Sequence, residues 1–302
     1  MISTPDLSII ILSYKSKEHL QVLLPSLWAS RDISFTPGNP ENSKYTGEVI
    51  VVDNGSNDGT WEWLEGQGKD LRFKIKVIKN SNTGFASGNN IGIKQATGRY
   101  VLLLNPDTKV ASETFETMLG FMDNHPEVGI SGCKLVKANG KLDLACRRRF
   151  PNPWNSFARL ILRDNTNYNY SDIPEDQEME VDSVVGAFML IRRDALEKIG
   201  LLDEKFFMYG EDLDYAWRCK EAGYKVWYYP KTTVLHFKGE SSKKVAFRAL
   251  KWFHDAMWIF YQKHYSKQYP FIMNWCVFAA IYGRLAILTA INYFKSQPRV
   301  SA

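Results

Sequence analysis

Apolar residues over the first 135 positions form short β-rich runs separated by stretches with helical spacing. Leu7–Tyr14 reads as a strand. Lys17–Ser30 repeats leucine at 20, 23, 24 and 27, one face of a helix. A polar stretch with Pro37, Gly38 and Pro40 predicts a surface loop. Glu48–Asp53 is a buried strand that stops at the turn sequence Asn54-Gly55-Ser56, and Asp58 is placed to cap a helix carrying Trp61 and Leu64. Phe73–Ile78, Phe85–Ala96 and Tyr100–Leu104 continue as strand, helix and strand, and a further helix starts near Ser112. Strands separated by helices of this length imply parallel crossovers and a doubly wound sheet, whose ligands bind beyond the carboxyl ends of the strands. The polar clusters Ser13-Tyr14, Asp53-Asn54 and Asn105-Pro106-Asp107 all sit at such ends.

The pattern then becomes less regular. Residues 146–180 read as a long polar loop. Val184–Ile191 is a strand containing Gly186-Ala187 and preceded by Asp182, and Glu211–Ala222 is a helix ended by Gly223. Val226–Tyr229 and Thr233–His236 read as two short strands, and from Lys243 onward the chain is helical, aromatic and basic. The organisation predicted is one α/β domain over 1–242, in two halves at 1–135 and 136–242, followed by a basic, aromatic helical tail over 243–302.

Composition changes this picture little. The chain has 302 residues, 45% of them hydrophobic and 24% charged, as expected for a folded globular protein. A net charge of +5 without a dense basic stripe excludes a dedicated nucleic-acid binder and suits anionic substrates or an anionic lipid surface. Cys133, Cys146, Cys219 and Cys276 lie far apart, with neither metal-finger spacing nor a disulfide framework, which points to reduced thiols in the cytosol. The run Leu7–Leu12 is too short for a secretory h-region and lacks a basic n-region.

The candidate chemistry is acidic. Asp53 is either a turn aspartate bonding its own backbone or a strand-end carboxylate for a base N–H or a ribose hydroxyl. Asp107 follows Pro106, which stops the strand. It serves either as a helix cap or as a ligand for a hard divalent cation shared with diphosphate oxygens. Residues 82–90, NTGFASGNN, form a Gly-rich strand-to-helix junction that can bring backbone N–H groups near phosphate. They lack the dinucleotide fingerprint and the P-loop lysine, which disfavours an NAD-dependent oxidoreductase or an ATP site. Gly210-Glu211-Asp212-Leu213-Asp214 puts three acids in one first turn, more than a cap requires. Asp214 is placed to pair with Arg218 at i+4, leaving Glu211 and Asp212 for proton transfer. His236 ends a short strand; it is either structural or a ligand for Mn²⁺ beside a carboxylate.

In this order the segments SIIILSYKS, EVIVVDNGSNDGT, NSNTGFASGNNIGI, GRYVLLLNPDT, VGAFMLIRRDAL, FFMYGEDLDYAWR and VLHFKGESS resemble the family 2 glycosyltransferases, over residues 7 to about 242. The resemblance implies a GT-A fold, a doubly wound mixed α/β sheet with helices on both faces, and inversion at the anomeric carbon. It is strongest to bacterial rhamnosyltransferases of polysaccharide and O-antigen assembly. By this resemblance Ser13, Tyr14, Asp53, Asn54, Asn82, Gly84 and Asn89 would bind the donor nucleotide. Gly186, Ala187 and Tyr209 would line the acceptor and sugar pocket. Asp107, with His236, would hold Mg²⁺ or Mn²⁺. Asp212, or in its place Glu211, would be the catalytic base. Asn105 stands where the family's D-x-D motif has its first acid, and Lys15 where many relatives carry asparagine. The implied donor is dTDP-L-rhamnose, with a UDP-hexose as the alternative, and the acceptor is a lipid-linked glycan or polysaccharide. A non-catalytic nucleotide- or glycan-binding protein is the alternative of another class, motivated by Asn105.

Residues Phe271–Phe294 are largely apolar and, as a helix, about 36 Å long, enough to span a bilayer with some tilt. Arg284 at the centre makes insertion marginal. Asn274, Arg284, Thr289, Asn292 and Lys295 share one arc, so the expectation is an in-plane amphipathic helix with its polar face toward water. Such a helix would hold the enzyme peripherally on the cytoplasmic face of the cell membrane.

Overall fold

The computed structural model describes residues 4–35, 43–68, 75–157, 166–237 and 246–293. Its centre is a ten-stranded mixed sheet. Strand β1 (Leu7–Ser13) pairs in parallel with β3 (Tyr45–Asn54) on one side and with β5 (Tyr100–Leu104) on the other. Beyond β3 lie β2 (Ile33–Ser34) and β4 (Ile75–Asn80), both parallel to it. These strands are continuous apolar runs because neighbours cover both faces: Ile9, Ile10, Ile11, Val49, Ile50, Val51 and Val101 are fully buried.

The far half of the sheet departs from the all-parallel order. Strand β9 (Phe188–Arg192) runs antiparallel to β5 and to β7 (Val128–Val136), which in turn pairs in parallel with β10 (Lys225–His236). Short strands β6 (Thr108–Lys109) and β8 (Met179–Glu180) pair antiparallel to β10. Because β9 is reversed, its amino end lies at the same edge as the carboxyl ends of β1, β3, β5 and β10. One edge therefore gathers residues from both halves of the chain.

Three expectations are corrected here. The strand expected from Val184 begins at Phe188: Ala187 C=O still accepts from Asn105 N–H in the β5 register, but Gly186 N–H is taken by the Asp212 side chain. The two short strands near 226–236 are one, β10, with a register shift between Tyr228 and Thr233. Pro230 has no N–H to give the ladder at that shift. Residues 146–180 are not simply a loop. They contain helices α5 (Pro153–Phe157) and α6 (Thr166–Asn169) and strand β8, with residues 158–165 outside the described part. Buried Arg147 ties this segment down by donating to the carbonyls of Ile173 and Pro174.

Helix α1 (Lys17–Trp28) buries the predicted Leu20, Leu23, Leu24 and Leu27, and α2 (Thr60–Gly68) begins where Asp58 accepts from Thr60. Helix α3 (Phe85–Ile93) packs on β1 and β3 so closely that a Cβ on Gly88 or Gly92 would meet Leu12 or Ile10 at 2.5 or 2.4 Å. Helix α4 (Thr114–Asn124) lies against β7 and β10, as does α8 (Glu211–Glu221), while α7 (Arg193–Ile199) lies against β7 and β9.

The tail is part of this body. Its first helix, Ala246–His264, lays Ala256 and Phe260 against Phe206 and Leu213 in a second apolar core. The Trp252 ring lies 4.5 Å from that of Phe207, and Trp217 stacks 4.6 Å from His264. Buried Asp214 accepts from Arg218, Lys263 and His264, so two side chains of the tail serve a carboxylate of α8. Burial alone would raise the Asp214 pKa, but these donors, His264 first among them, bring it down to about 2.

Candidate active site

Site residues arrive from the ends of β1, β3, β5 and β10 and from the amino ends of α3 and α8. On the donor side, Asp53 is fully buried at the end of β3. Its Oδ2 accepts from Ser56 N–H at 3.2 Å, the local turn bond expected for the bland reading, while Oδ1 is buried with no partner. An unpaired buried carboxylate oxygen is costly unless a ligand supplies a donor. Ser13 lies beside Asp53 in the register of β1 and β3, with its Oγ 3.4 Å from Ser16 Oγ. Tyr14 follows at a sharp turn where Lys15 takes a positive φ of 53° and its N–H donates to Ser56 Oγ.

The asparagines are employed within the protein. Asn54 donates to Asn82 Oδ1 and Gly84 C=O, and its Oδ1 accepts from Asn80 and Thr83. Asn82 Oδ1 also accepts from Gly84 N–H. Asn89 is buried and donates to Phe85 C=O. These three shape the junction between β4 and α3, whereas Asp53 keeps an atom free. Gly84 opens α3 at φ 92°, and a Cβ there would stand 2.5 Å from Phe207 C=O, the same carbonyl that accepts from Phe85 N–H at 2.6 Å. Only glycine combines that φ with that approach.

Asp107 and His236 meet at the edge. His236 Nε2 is 3.4 Å from Asp107 Oδ1, and its Nδ1–H donates to Asp143 Oδ2 at 2.9 Å. Burial opposes the imidazolium, but the carboxylates of Asp107 and Asp143 prevail and raise the His236 pKa to about 9. Among the described residues no group of three or more His, Cys, Asp or Glu side chains is gathered for a metal. Asp107 Oδ1 and His236 Nε2, 3.4 Å apart, are the atoms that would ligate Mg²⁺ or Mn²⁺, the metal taking the place of the Nε2 proton. Asp143 then orients the histidine through its other nitrogen. Asp143 was not among the residues expected at the site.

At the start of α8 the backbone is strained: Tyr209 and Gly210 both have positive φ, 72° and 82°. Both following acids are buried. Asp212 Oδ2 accepts from Arg148 Nη2 at 2.7 Å and from Gly186 N–H at 3.2 Å, and Oδ1 from Leu213 N–H at 2.8 Å. Asp214 pairs with Arg218 as expected, but Asp212 is not left free; its partner is Arg148, 64 residues away. Glu211 Oε2 is buried without a partner. Burial, then the neighbouring charge of Asp212, pushes the Glu211 pKa up to about 8. Glu211 is thus the member of the pair that burial favours in its protonated form, and Asp212 is the member bonded to Arg148. Gly186 touches this pair through its N–H. Ala187 is buried beneath it, with its C=O taken by Asn105 N–H, and the Tyr209 ring faces Phe253 of the tail at 6.0 Å.

A mixed sheet with polar strand ends, a Gly-bounded helix start and a buried carboxylate pair across the same edge fits the class of sugar-nucleotide transferases. Residues 8–200 match Glycosyl transferase family 2, and the chain belongs to that family; it is a glycosyltransferase. It is 24% identical to the N-acetylglucosaminyl-diphospho-decaprenol L-rhamnosyltransferase of Mycobacterium tuberculosis, over 98% of this chain and 97% of that one. It is 23% identical to the rhamnosyltransferase WbbL of Escherichia coli K12, over 68% of this chain and 88% of the relative. The fold superposes on the mannosyltransferase PcManGT of Pyrobaculum calidifontis, solved with GDP-Man and Mn²⁺, with a TM-score of 0.58 at 16% identity. That match covers 98% of this chain and 77% of the mannosyltransferase. The GT-A expectation is met, with β9 as the reversed strand that makes the sheet mixed.

Proposed function

We propose that the protein transfers L-rhamnose from dTDP-L-rhamnose to a lipid-linked or polysaccharide acceptor, in one displacement that inverts the anomeric centre. The observation that carries the mechanism is the division of partners at α8: Asp212 is paired with Arg148 at 2.7 Å, while Glu211 beside it has a buried, unpartnered Oε2 and is pushed toward its protonated form. Asp212 takes the proton of an acceptor hydroxyl, the hydroxyl oxygen bonds to the anomeric carbon, and the bond from that carbon to the nucleoside diphosphate breaks. Asp53 Oδ1, the orphaned acceptor, receives a donor from the nucleotide, and Ser13 and Tyr14 flank it. Asp107 and His236 would hold Mg²⁺ or Mn²⁺, which neutralises the charge growing on the leaving diphosphate. The choice of sugar is supported by the two rhamnosyltransferases among the relatives, and the lipid-linked acceptor by the mycobacterial one.

A panel of dTDP-, UDP- and GDP-sugars, scored by donor hydrolysis and by binding, tests this reading. Turnover should be highest with dTDP-L-rhamnose and should fall at least about tenfold in EDTA, since one cation stabilises several kcal/mol of developing charge. Asp53→Ala should weaken donor binding in the same assay. Preference for a UDP-hexose would reassign the donor, and binding of every nucleotide without turnover would favour a non-catalytic protein.

The terminal helix, Phe271–Tyr293, is long and apolar enough to cross a membrane by length and composition. Of the polar arc expected to face water, Asn274, Arg284 and Asn292 find partners or burial within the protein, while Thr289 stays exposed. Asn274 bonds Tyr261 and the carbonyls of Ser266 and Tyr269, Arg284 donates to His254 Nε2, and Asn292 is buried. Lys295 lies outside the described residues. Phe271, Ile272, Trp275 and Ile287 are left outward, 62–80% exposed. We read this apolar side as resting on the cytoplasmic leaflet. Full-length protein should float with phosphatidylglycerol vesicles, and Trp275→Glu/Ile287→Glu should stay in the soluble fraction while hydrolysing donor normally. Equal flotation of the two proteins would remove the membrane contact.

A further inference from the structure

We propose that Arg148 is the positioning residue of the catalytic base, holding Asp212 ionised and fixing the plane of its carboxylate. The inference rests on the reading of Asp212 as the base. The guanidinium is buried, and Nη2 alone serves three acceptors: Asp212 Oδ2 at 2.7 Å, Val184 C=O at 2.9 Å and Ser183 Oγ at 3.3 Å. Its backbone is pinned by a reciprocal pair of hydrogen bonds with Ser183, so the side chain enters the site from a fixed point. Gly186 N–H reaches the same carboxylate oxygen, leaving the Asp212 ring of donors complete on the Oδ2 side.

The arrangement is poorly explained as a device for stability. Arg148 Nε is buried with no partner, and replacing a buried ion pair by apolar side chains is often neutral or stabilising. Its electrostatic consequence is specific. Glu211, Asp214 and Asp212 lie on α8, Arg148 enters from the preceding segment, and Tyr168 approaches the guanidinium from α6. Asp214 is already neutralised by Arg218, Lys263 and His264, so Arg148 is the cation that serves the Glu211–Asp212 pair. With it, the Asp212 carboxylate has a counter-charge at 2.7 Å. Without it, two buried acids face each other with no counter-charge and both retain protons to higher pH. When Asp212 accepts the acceptor proton, Arg148 remains as an uncompensated cation, which drives the proton out again before the next cycle.

The test is the pH profile of kcat with saturating donor, together with donor affinity by calorimetry. In Arg148→Met the acidic limb should move upward by roughly 1–3 pH units, the shift that loss of an opposite charge at contact distance produces. Donor affinity should stay within about twofold, because Arg148 acts through Asp212 and not through the nucleotide. Arg148→Lys should restore the limb close to its original position. If Arg148→Met does not accumulate as folded protein, Arg148→Gln gives the same comparison. An acidic limb unmoved in the neutral variants overturns the role of Arg148. Substantial turnover by Asp212→Asn instead overturns the base reading on which it rests, so the two failures are distinct.

Discussion

Asp212→Asn should lower kcat by about 10²- to 10⁴-fold, the span that a positioned general base contributes, while leaving donor affinity nearly unchanged. The amide keeps the volume and can still accept from Gly186 N–H, so the pocket is preserved while the proton acceptor is lost. Glu211→Gln is the informative partner. Glu211 already holds its proton at pH 7, so an amide mimics the working state and the loss in kcat should stay below about tenfold, far short of a missing base. The wild-type enzyme should also lose activity above pH 8, where Glu211 ionises and puts a second negative charge beside Asp212. Glu211→Gln should lack that alkaline decline. If the Gln variant is as inactive as the Asn variant, the two acids exchange roles.

Glu211→Gln should also make the protein more stable, and only above mildly acidic pH. The folded-state pKa of Glu211 is raised from 4.5 to about 8. Below the unfolded value both states are protonated and the residue costs nothing by ionisation. As pH climbs toward 8 the unfolded chain releases this proton while the folded chain retains it, so the unfolded state binds fewer protons and stability falls. The full cost, on the order of a few kcal/mol, is in place above the folded pKa. Glutamine cannot ionise, so its advantage should be near zero at pH 4 and reach several degrees in Tm at pH 8, by differential scanning calorimetry. An equal Tm difference at the two pH values would falsify the buried, uncompensated acid. The stability given up here is of the kind that active sites retain for function.

Much of the donor half is legible in the chain itself. Strands β1, β3 and β5 are apolar throughout because they are covered on both faces, and each ends where a polar turn residue begins. Asp53, Asp107 and the Glu211–Asp212 pair stand out because local pattern places them at strand ends or a helix start. Arg148 and Asp143 do not, since their partners lie 64 and 93 residues away and no local period connects them. The available signal was the run Arg147-Arg148-Arg149, three consecutive cations inside a stretch read as polar loop. Arg147 and Arg148 are buried there, which hydropathy alone assigns to the surface. The terminal helix misled differently. Its polar arc was read correctly as an arc, but the first tail helix offered His254 and Tyr261 as partners that water would otherwise have been. Asn54 shows the reverse case: a strand-end side chain that looks available is already committed to the loop beside it.

The contact between Gly84 and Phe207 joins the two halves of the chain through backbone atoms, 2.5 Å from where a side chain would begin. One bank carries the donor junction and the other leads, four residues on, into the carboxylate pair. Since the closest approach is to a backbone oxygen, with the Phe207 ring just behind it, compensating substitutions have little to act on at this seam. New specificities must then be assembled from loops that leave it intact, and a chimera cut between the halves can succeed only when both parents share its geometry.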